Sequence, residues 1–416
     1  MVVSLVIIVV VSEVFFVLYS ATWRVPTPLS HRTAQGRSRT VSAEGQLAVL
    51  NETLSFLRKE LQGHVDSLPQ PPPNPRQPRL AAIKPPPPLP PPAPAIQAHS
   101  PIKNRRALIY TMDSMSAYEE QSRSGGAAGE ILIRRCLEGV LQELGVSSRV
   151  VRNDAEFDAM SNADVGAFDF LVLDPWTWAA KGWVPKAGLL GHDDKVYILD
   201  FFGAPKLRGT GLRVPPKRVL TAYGSAWNSF LGFYLSASAG AAVGAGLGSK
   251  EQRGVVWGKD TKHFDGKAQL LIKVLDHGVK LVSTATEPVF RHAGIEWTGH
   301  RTPEKWTALL RGSKFLLGLG DPLLGPSAIE ALSHGCVYIN PVYADRQAHK
   351  NGEASQHSWA VAQVGAPYVC SYREGSVPEL LACIDAALKL DLPPLVPPAF
   401  TKEAYVKRVR GIFRLT

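Results

Sequence analysis

Between residues 106 and 413 short, uniformly apolar runs alternate with stretches of helical period, and that alternation admits few folds. The runs at 107–112 (ALIYTM), 148–151, 168–173, 196–202, 254–259, 279–284, 314–320, 336–340 and 367–370 are too short for helices. Most lack in/out alternation, as strands do when both faces of a parallel sheet are covered. Helices are predicted over 130–144, 267–276, 303–310, 327–333, 377–388 and 399–413. In the first, Ile133, Cys136, Leu137, Val140, Leu141 and Leu144 share a face, and Gly145 ends it. The expected fold is α/β: two Rossmann-like domains, 106–240 and 250–416, each a parallel sheet covered by helices. The small-residue run 236–249 (SASAGAAVGAGLGS) lies between them, and a ligand cleft is expected at the carboxyl ends of the strands.

The first hundred residues are built differently. Residues 2–19 (VVSLVIIVVVSEVFFVLY) carry one charge, Glu13, and are just long enough to span a bilayer as a helix. With no Lys or Arg before Arg24, and Tyr19-Ser20-Ala21 a poor cleavage site, 1–23 reads as an uncleaved signal anchor; a cleaved signal peptide is the alternative. Over 44–68, Leu47, Leu50, Leu54, Leu57, Leu61 and Leu68 step by threes and fours once His64 takes the remaining slot, a coiled-coil seam that would pair the stem into a homodimer. A single amphipathic helix lying on the body is the other reading. Asn51-Glu52-Thr53 is the one glycosylation sequon, which suits a lumen. Of 33 prolines, 14 lie between Pro69 and Pro94. As polyproline II, 69–95 would be a spacer of roughly 80 Å, or else a ligand for a proline-binding module. The layout of anchor, stem (24–105) and body is that of a single-pass type II membrane protein.

Charge and cysteine narrow the function. Of the net charge of +10, residues 24–106 supply +8, with 12 Lys/Arg against 4 Asp/Glu. The body is therefore near neutral and offers nucleic acid no basic face. Cys136, Cys336, Cys370 and Cys383 have no C-x-x-C spacing, so neither a zinc ribbon nor a thioredoxin-type site is supported. They leave room for one or two disulfides, with burial as small hydrophobes the plain reading of Cys136 and Cys336.

Three places could carry chemistry. Glu130 opens the first helix behind a glycine-rich loop (124–129), where it is either a general base in the cleft or a carboxylate complementing the helix dipole. In the run 314–341 (KFLLGLGDPLLGPSAIEALSHGCVYINP) a strand ends at Gly318 and Gly320, the loop passes Gly325-Pro326, and a helix starts near Ser327. Glycines allow close backbone approach, and the helix start offers N–H groups to a diphosphate. Glu330, in the helix's first turn, could accept from ribose hydroxyls or pair with a neighbouring cation. Lys259 ends another strand and either neutralises phosphate or is a solvated strand-end lysine. No Asp-x-Asp pair or histidine cluster indicates a metal site.

The blocks at 124–145, 196–205, 228–233, 255–259, 314–341 and 397–409, in that order, resemble the catalytic domain of glycosyltransferase family 18, the alpha-1,6-mannosylglycoprotein 6-beta-N-acetylglucosaminyltransferase family. The resemblance implies a GT-B fold in a Golgi type II enzyme with a luminal body. It also implies inverting, metal-independent transfer of N-acetylglucosamine from UDP-GlcNAc, with no cofactor, to an N-glycan mannose in beta-1,6 linkage. By position, Glu130 matches the family's catalytic base, Lys259 a lysine near the diphosphate, and Glu330 an acid on the ribose or uracil side. This sequence reads Asp321-Pro322-Leu323-Leu324-Gly325-Pro326 where the family usually has Phe-Pro-Tyr-Glu-Gly-Pro. It is also shorter between Arg208 and Thr221, a region expected to touch the acceptor. The alternatives are another UDP-sugar or acceptor on the same fold, or a catalytically idle membrane-anchored scaffold.

Overall fold

The computed structural model describes residues 104–111, 129–175, 195–201, 214–224, 228–235, 249–345 and 353–415, with Ser116 and Glu120. The anchor, the stem with Asn51, the glycine-rich loop before Gly129 and most of the 236–249 run lie outside the described residues. Among those described, no helix is long and apolar enough to cross a membrane.

Two six-stranded parallel sheets form the body. The first contains β1 (Arg106–Tyr110), β2 (Ser147–Val150), β3 (Phe170–Leu173), β4 (Val196–Leu199), β5 (Val219–Thr221) and β6 (Ser229–Phe230), in the order β2-β1-β3-β4-β5-β6. Its helices are α1 (Gly129–Glu143), α2 (Asp154–Asp158) and α3 (Asn162–Gly166). Pleating sends alternate residues to opposite cores. Ala107, Ile109, Phe170 and Val172 pack with Ile133 and Leu137 of α1, while Leu108, Tyr110, Leu171 and Leu173 pack with Phe157, Met160 and Val165. Both faces are covered, which is why β3 is apolar throughout and β1 is apolar from Ala107 on.

The second sheet contains β7 (Glu251–Trp257), β8 (Lys280–Ser283), β9 (Ile295–Trp297), β10 (Ser313–Gly318), β11 (Val337–Val342) and β12 (Val369–Arg373). Its order, β12-β11-β10-β7-β8-β9, places the switch in winding direction between β7 and β10, where a Rossmann crevice opens at the carboxyl ends. Gly254 faces Phe315 across this central pair; a Cβ there would lie 2.0 Å from the Phe315 ring, so the bare backbone makes room for the ring. The helices are α4 (Ala268–Asp276), α5 (Pro303–Arg311), α6 (Ser327–Ser333), α7 (Ser358–Gln363), α8 (Val377–Lys389) and α9 (Lys402–Phe413). Cys370 and Cys383 form a disulfide between β12 and α8, and Cys136 and Cys336 are free and buried.

The helix expected over 399–413 divides into a 3-10 turn (Pro398–Phe400) and α9. Moreover, α9 packs on the first sheet, although its sequence position follows the second. Phe413 stacks on Phe170 at 4.4 Å and lies 4.7 Å from Tyr197. Arg408 Nε donates to Leu231 O (2.8 Å), and Lys402 pairs with Glu143 at 2.7 Å. The N-terminal domain therefore includes the last helix, and the chain crosses between the sheets a second time near Phe400. There Tyr223, Phe230 and Phe233 of the first domain meet Phe400, with Trp359 4.8 Å from its ring.

Candidate active site

The site lies where the carboxyl ends of the two sheets meet. Gly129 and Glu130 begin α1, and Glu130 is exposed in its first turn. The helix start abuts the second domain, since a Cβ on Gly129 would stand 3.1 Å from Pro326 Cδ and 3.3 Å from the Phe201 ring. Lys259 follows β7 and is half-buried. Burial pulls its amine below the ordinary lysine range, while the charges of Asp260 and Glu130 oppose that shift. The Glu130 charge is thus felt at Lys259, 129 positions along the chain.

The turn that carries Lys259 is held by a histidine that sequence reasoning passed over. His263 is buried, and its Nδ1 accepts from the N–H groups of Lys259 (3.3 Å) and Asp260 (3.2 Å). Its Nε2 lies 4.0 Å from both Asp260 and Asp321, so it links the loops after β7 and β10. Burial lowers its pKa, against the pull of Asp321 and Asp260.

The glycines of the 318–326 loop serve mainly the protein's own packing. Gly318 is buried, and a Cβ on it would meet Gln356 Oε1 at 2.1 Å. Gly320 has φ +103, donates its N–H to Gln356 Oε1 (3.1 Å) and accepts from Tyr343 Oη (2.7 Å). Gln356 Nε2 donates to Pro322 O (2.9 Å), and Leu324 N–H donates to Gln356 O (2.9 Å). One buried amide side chain therefore shapes the whole loop. Gly325 sits against Trp257, where a Cβ would be 2.6 Å from Cζ2, and its carbonyl accepts from Tyr223 Oη of the first domain (3.2 Å).

Beyond this loop α6 begins, and its first N–H groups have no intrahelical acceptors. Glu330 closes that turn, and its carboxylate accepts from Trp306 Nε1 at 2.9 Å. Burial raises its pKa, and the Trp306 bond partly offsets this. Its partner is thus an indole donor and not a neighbouring cation. Beneath the loop His357 is fully buried, with Tyr223 edge-on at 4.6 Å; its Nδ1 accepts from Ala360 N–H and caps α7. Among the described residues no three His, Cys, Asp or Glu side chains are grouped to hold a metal ion. Gln356-His357 and Trp306 lie more than twenty residues from the groups they hold in the 318–326 loop and α6, and only the tertiary fold brings them there, whereas His263 is local to the turn that carries Lys259.

Two Rossmann-type sheets meeting at their carboxyl ends, with a carboxylate on one wall and a lysine and a helix start on the other, suit transfer of a group from a nucleotide-linked donor. The class is glycosyltransferase: residues 211–414, just under half of the chain, match the family model for glycosyltransferase family 18. Among related proteins, human alpha-1,6-mannosylglycoprotein 6-beta-N-acetylglucosaminyltransferase A is 30% identical over 114 residues, covering 25% of this chain and 15% of the relative. Its human B counterpart is 26% identical over 204 residues, 44% of this chain and 25% of the relative. The chain thus spans a quarter or less of the length of these relatives. A crystal structure of a glycosyltransferase from Rickettsia africae superposes over 76% of this chain and 100% of that one, with TM-score 0.47 and 10% identity.

Proposed function

We propose that this chain is an inverting N-acetylglucosaminyltransferase that moves N-acetylglucosamine from UDP-GlcNAc to a mannose of an N-glycan in beta-1,6 linkage, without a metal. The observation that carries the reading is the seating of the start of α1, which bears Glu130, against Pro326 of the loop before α6, with the Glu130 charge felt at Lys259. Glu130 accepts the proton of the acceptor hydroxyl as its oxygen attacks the anomeric carbon. The bond from that carbon to the diphosphate breaks, and UDP leaves with the electron pair. Lys259 and the N–H groups at the start of α6 meet the charge that grows on the diphosphate. Glu330, held by Trp306, receives ribose hydroxyls. The anchor and sequon accord with a luminal body in the Golgi membrane, and the stem with a homodimer.

The test is transfer by the full chain from a panel of UDP-sugars to a branched mannose acceptor, with and without EDTA. Transfer from UDP-GlcNAc that survives chelation is expected. Activity abolished by EDTA and restored by manganese overturns the metal-independent mechanism, and a product from another UDP-sugar alone overturns the donor. Absence of any transfer or UDP-GlcNAc hydrolysis favours the scaffold.

A further inference from the structure

At the opposite end of the first sheet from the cleft, a cavity of about 730 Å³ opens among the residues that precede the strands. Arg105 precedes β1, Asp169 precedes β3 and Lys195 precedes β4; Lys217 and Arg218 precede β5, and Arg414 follows α9. Five cations and one carboxylate thus share one cavity. The carboxylate is already engaged: Asp169 pairs with Arg105 at 3.1 Å and accepts the Arg106 N–H at 2.7 Å. Among the described residues, Lys195 Nζ donates to a carbonyl, that of Gly166 (3.0 Å), and to no carboxylate. Lys217 and Arg414 are exposed, and no carboxylate among the described residues pairs with either. The described chain enters at this rim through Asn104-Arg105-Arg106, whose arginines add to the local excess of positive charge.

The floor is fixed. Phe413 is stacked on Phe170 and set against Tyr197, and Tyr197 Oη donates to Ile412 O at 3.2 Å. Carbonyls at the end of α9 would oppose an anion. Two of them are occupied, Ile412 O by Tyr197 and Arg410 O by Leu415 N–H (2.9 Å). What remains is a concave, rigid, cation-rimmed site of small-molecule size. We infer that it binds a small phosphate or sulfate ester, with the oxyanion among Lys195, Lys217 and Arg414 and the organic body against the Phe413 floor. Guanidinium groups offer paired donors to such oxyanions. The site is separate from the cleft and does not depend on the proposed reaction.

The test is calorimetric titration of the full chain, saturated with UDP, with glucose 6-phosphate, glucose 6-sulfate and inorganic phosphate. One ester is expected to bind at one site per chain, at least tenfold tighter than inorganic phosphate and more weakly as salt rises. Preference between the two esters identifies the source of the oxyanion. Lys217→Glu and Arg414→Glu should each weaken binding about tenfold or more, while Lys389→Glu, an exposed charge reversal on α8, should leave it unchanged. Melting curves show that each variant is folded, and either reversal suffices for the comparison. Ester binding no tighter than that of phosphate, displacement by UDP, equal weakening in the Lys389 variant, or no saturation overturns the inference.

Discussion

His357 should make the junction of the two domains sensitive to acid, and the size of the effect can be worked out. The ring is wholly buried beneath the 318–326 loop; Nδ1 accepts from Ala360 N–H, and Nε2 lies toward the Gly325 carbonyl without a well-aligned hydrogen bond. Burial lowers its pKa from 6.5 to about 3. A group depressed in this way contributes stability that is present above pH 6.5 and lost as the pH falls toward 3, because only the unfolded chain takes up the proton. Between pH 7.5 and pH 5 that loss is about 2 kcal/mol. His357→Asn keeps a side-chain acceptor at the start of α7 but removes the titrating ring. Losing the contact with Tyr223 should cost about 1–3 kcal/mol at pH 7.5. Yet the variant should lose about 2 kcal/mol less than the parent on going to pH 5. Urea unfolding followed by tryptophan fluorescence at both pH values measures the two slopes. His263 and His334, also lowered by burial, are common to both proteins and cancel. Equal pH dependence in parent and variant would refute the reasoning, because the folded protein would then accept a proton on His357 at little cost.

The remaining predictions concern the cleft and the sheet beneath it. Glu130→Gln should lower transfer about 100-fold or more while UDP binding, measured by calorimetry, is retained. Glu330→Ala should raise the donor KM with little change in kcat, because ribose contacts are equal in ground and transition states. Lys259→Ala should instead lower kcat more than it raises KM; steady-state kinetics separate the two. Gly254→Ala should destabilise the second sheet by about 2–3 kcal/mol in denaturant unfolding, because its Cβ would collide with the fully buried Phe315 ring.

The fold was legible because parallel strands covered on both faces are written as apolar runs, and β3, the Ala107–Tyr110 part of β1, Phe315–Leu317 of β10 and Val337–Ile339 of β11 are such runs. The edge strands β6 and β9 were not, since two or three residues carry no period. The return of α9 to the first sheet was hidden as well: its apolar face is the same whichever sheet it meets. Within the site, Glu130, Lys259 and Glu330 stood at strand or helix ends, positions a sequence marks. Gly318 and Gly320 signal close backbone approach, but what fills the space above Gly318 is Gln356, more than thirty residues downstream. Trp306 acts through a hydrogen bond to Glu330, 24 residues on, for which no local spacing is a signal, whereas the ring bonds of His263 and His357 reach only three or four residues and are local caps whose place at the site the fold supplies.

The late return of α9 also shapes how the protein can fold as it is made. Strands β1 to β6 leave the ribosome early, but the helix that seals their open face is synthesised some 170 residues later. At about 5–20 residues per second that is a delay on the order of 10–30 s. Until then that side of the first sheet is covered by α1 alone, and the part that will receive Phe413, at Phe170 and Tyr197, lacks its final cover. The first domain to emerge is therefore among the last to finish. A nascent chain halted before residue 402 presents those rings to chaperones and to other unfinished chains, even though every residue of its cleft wall has already been made.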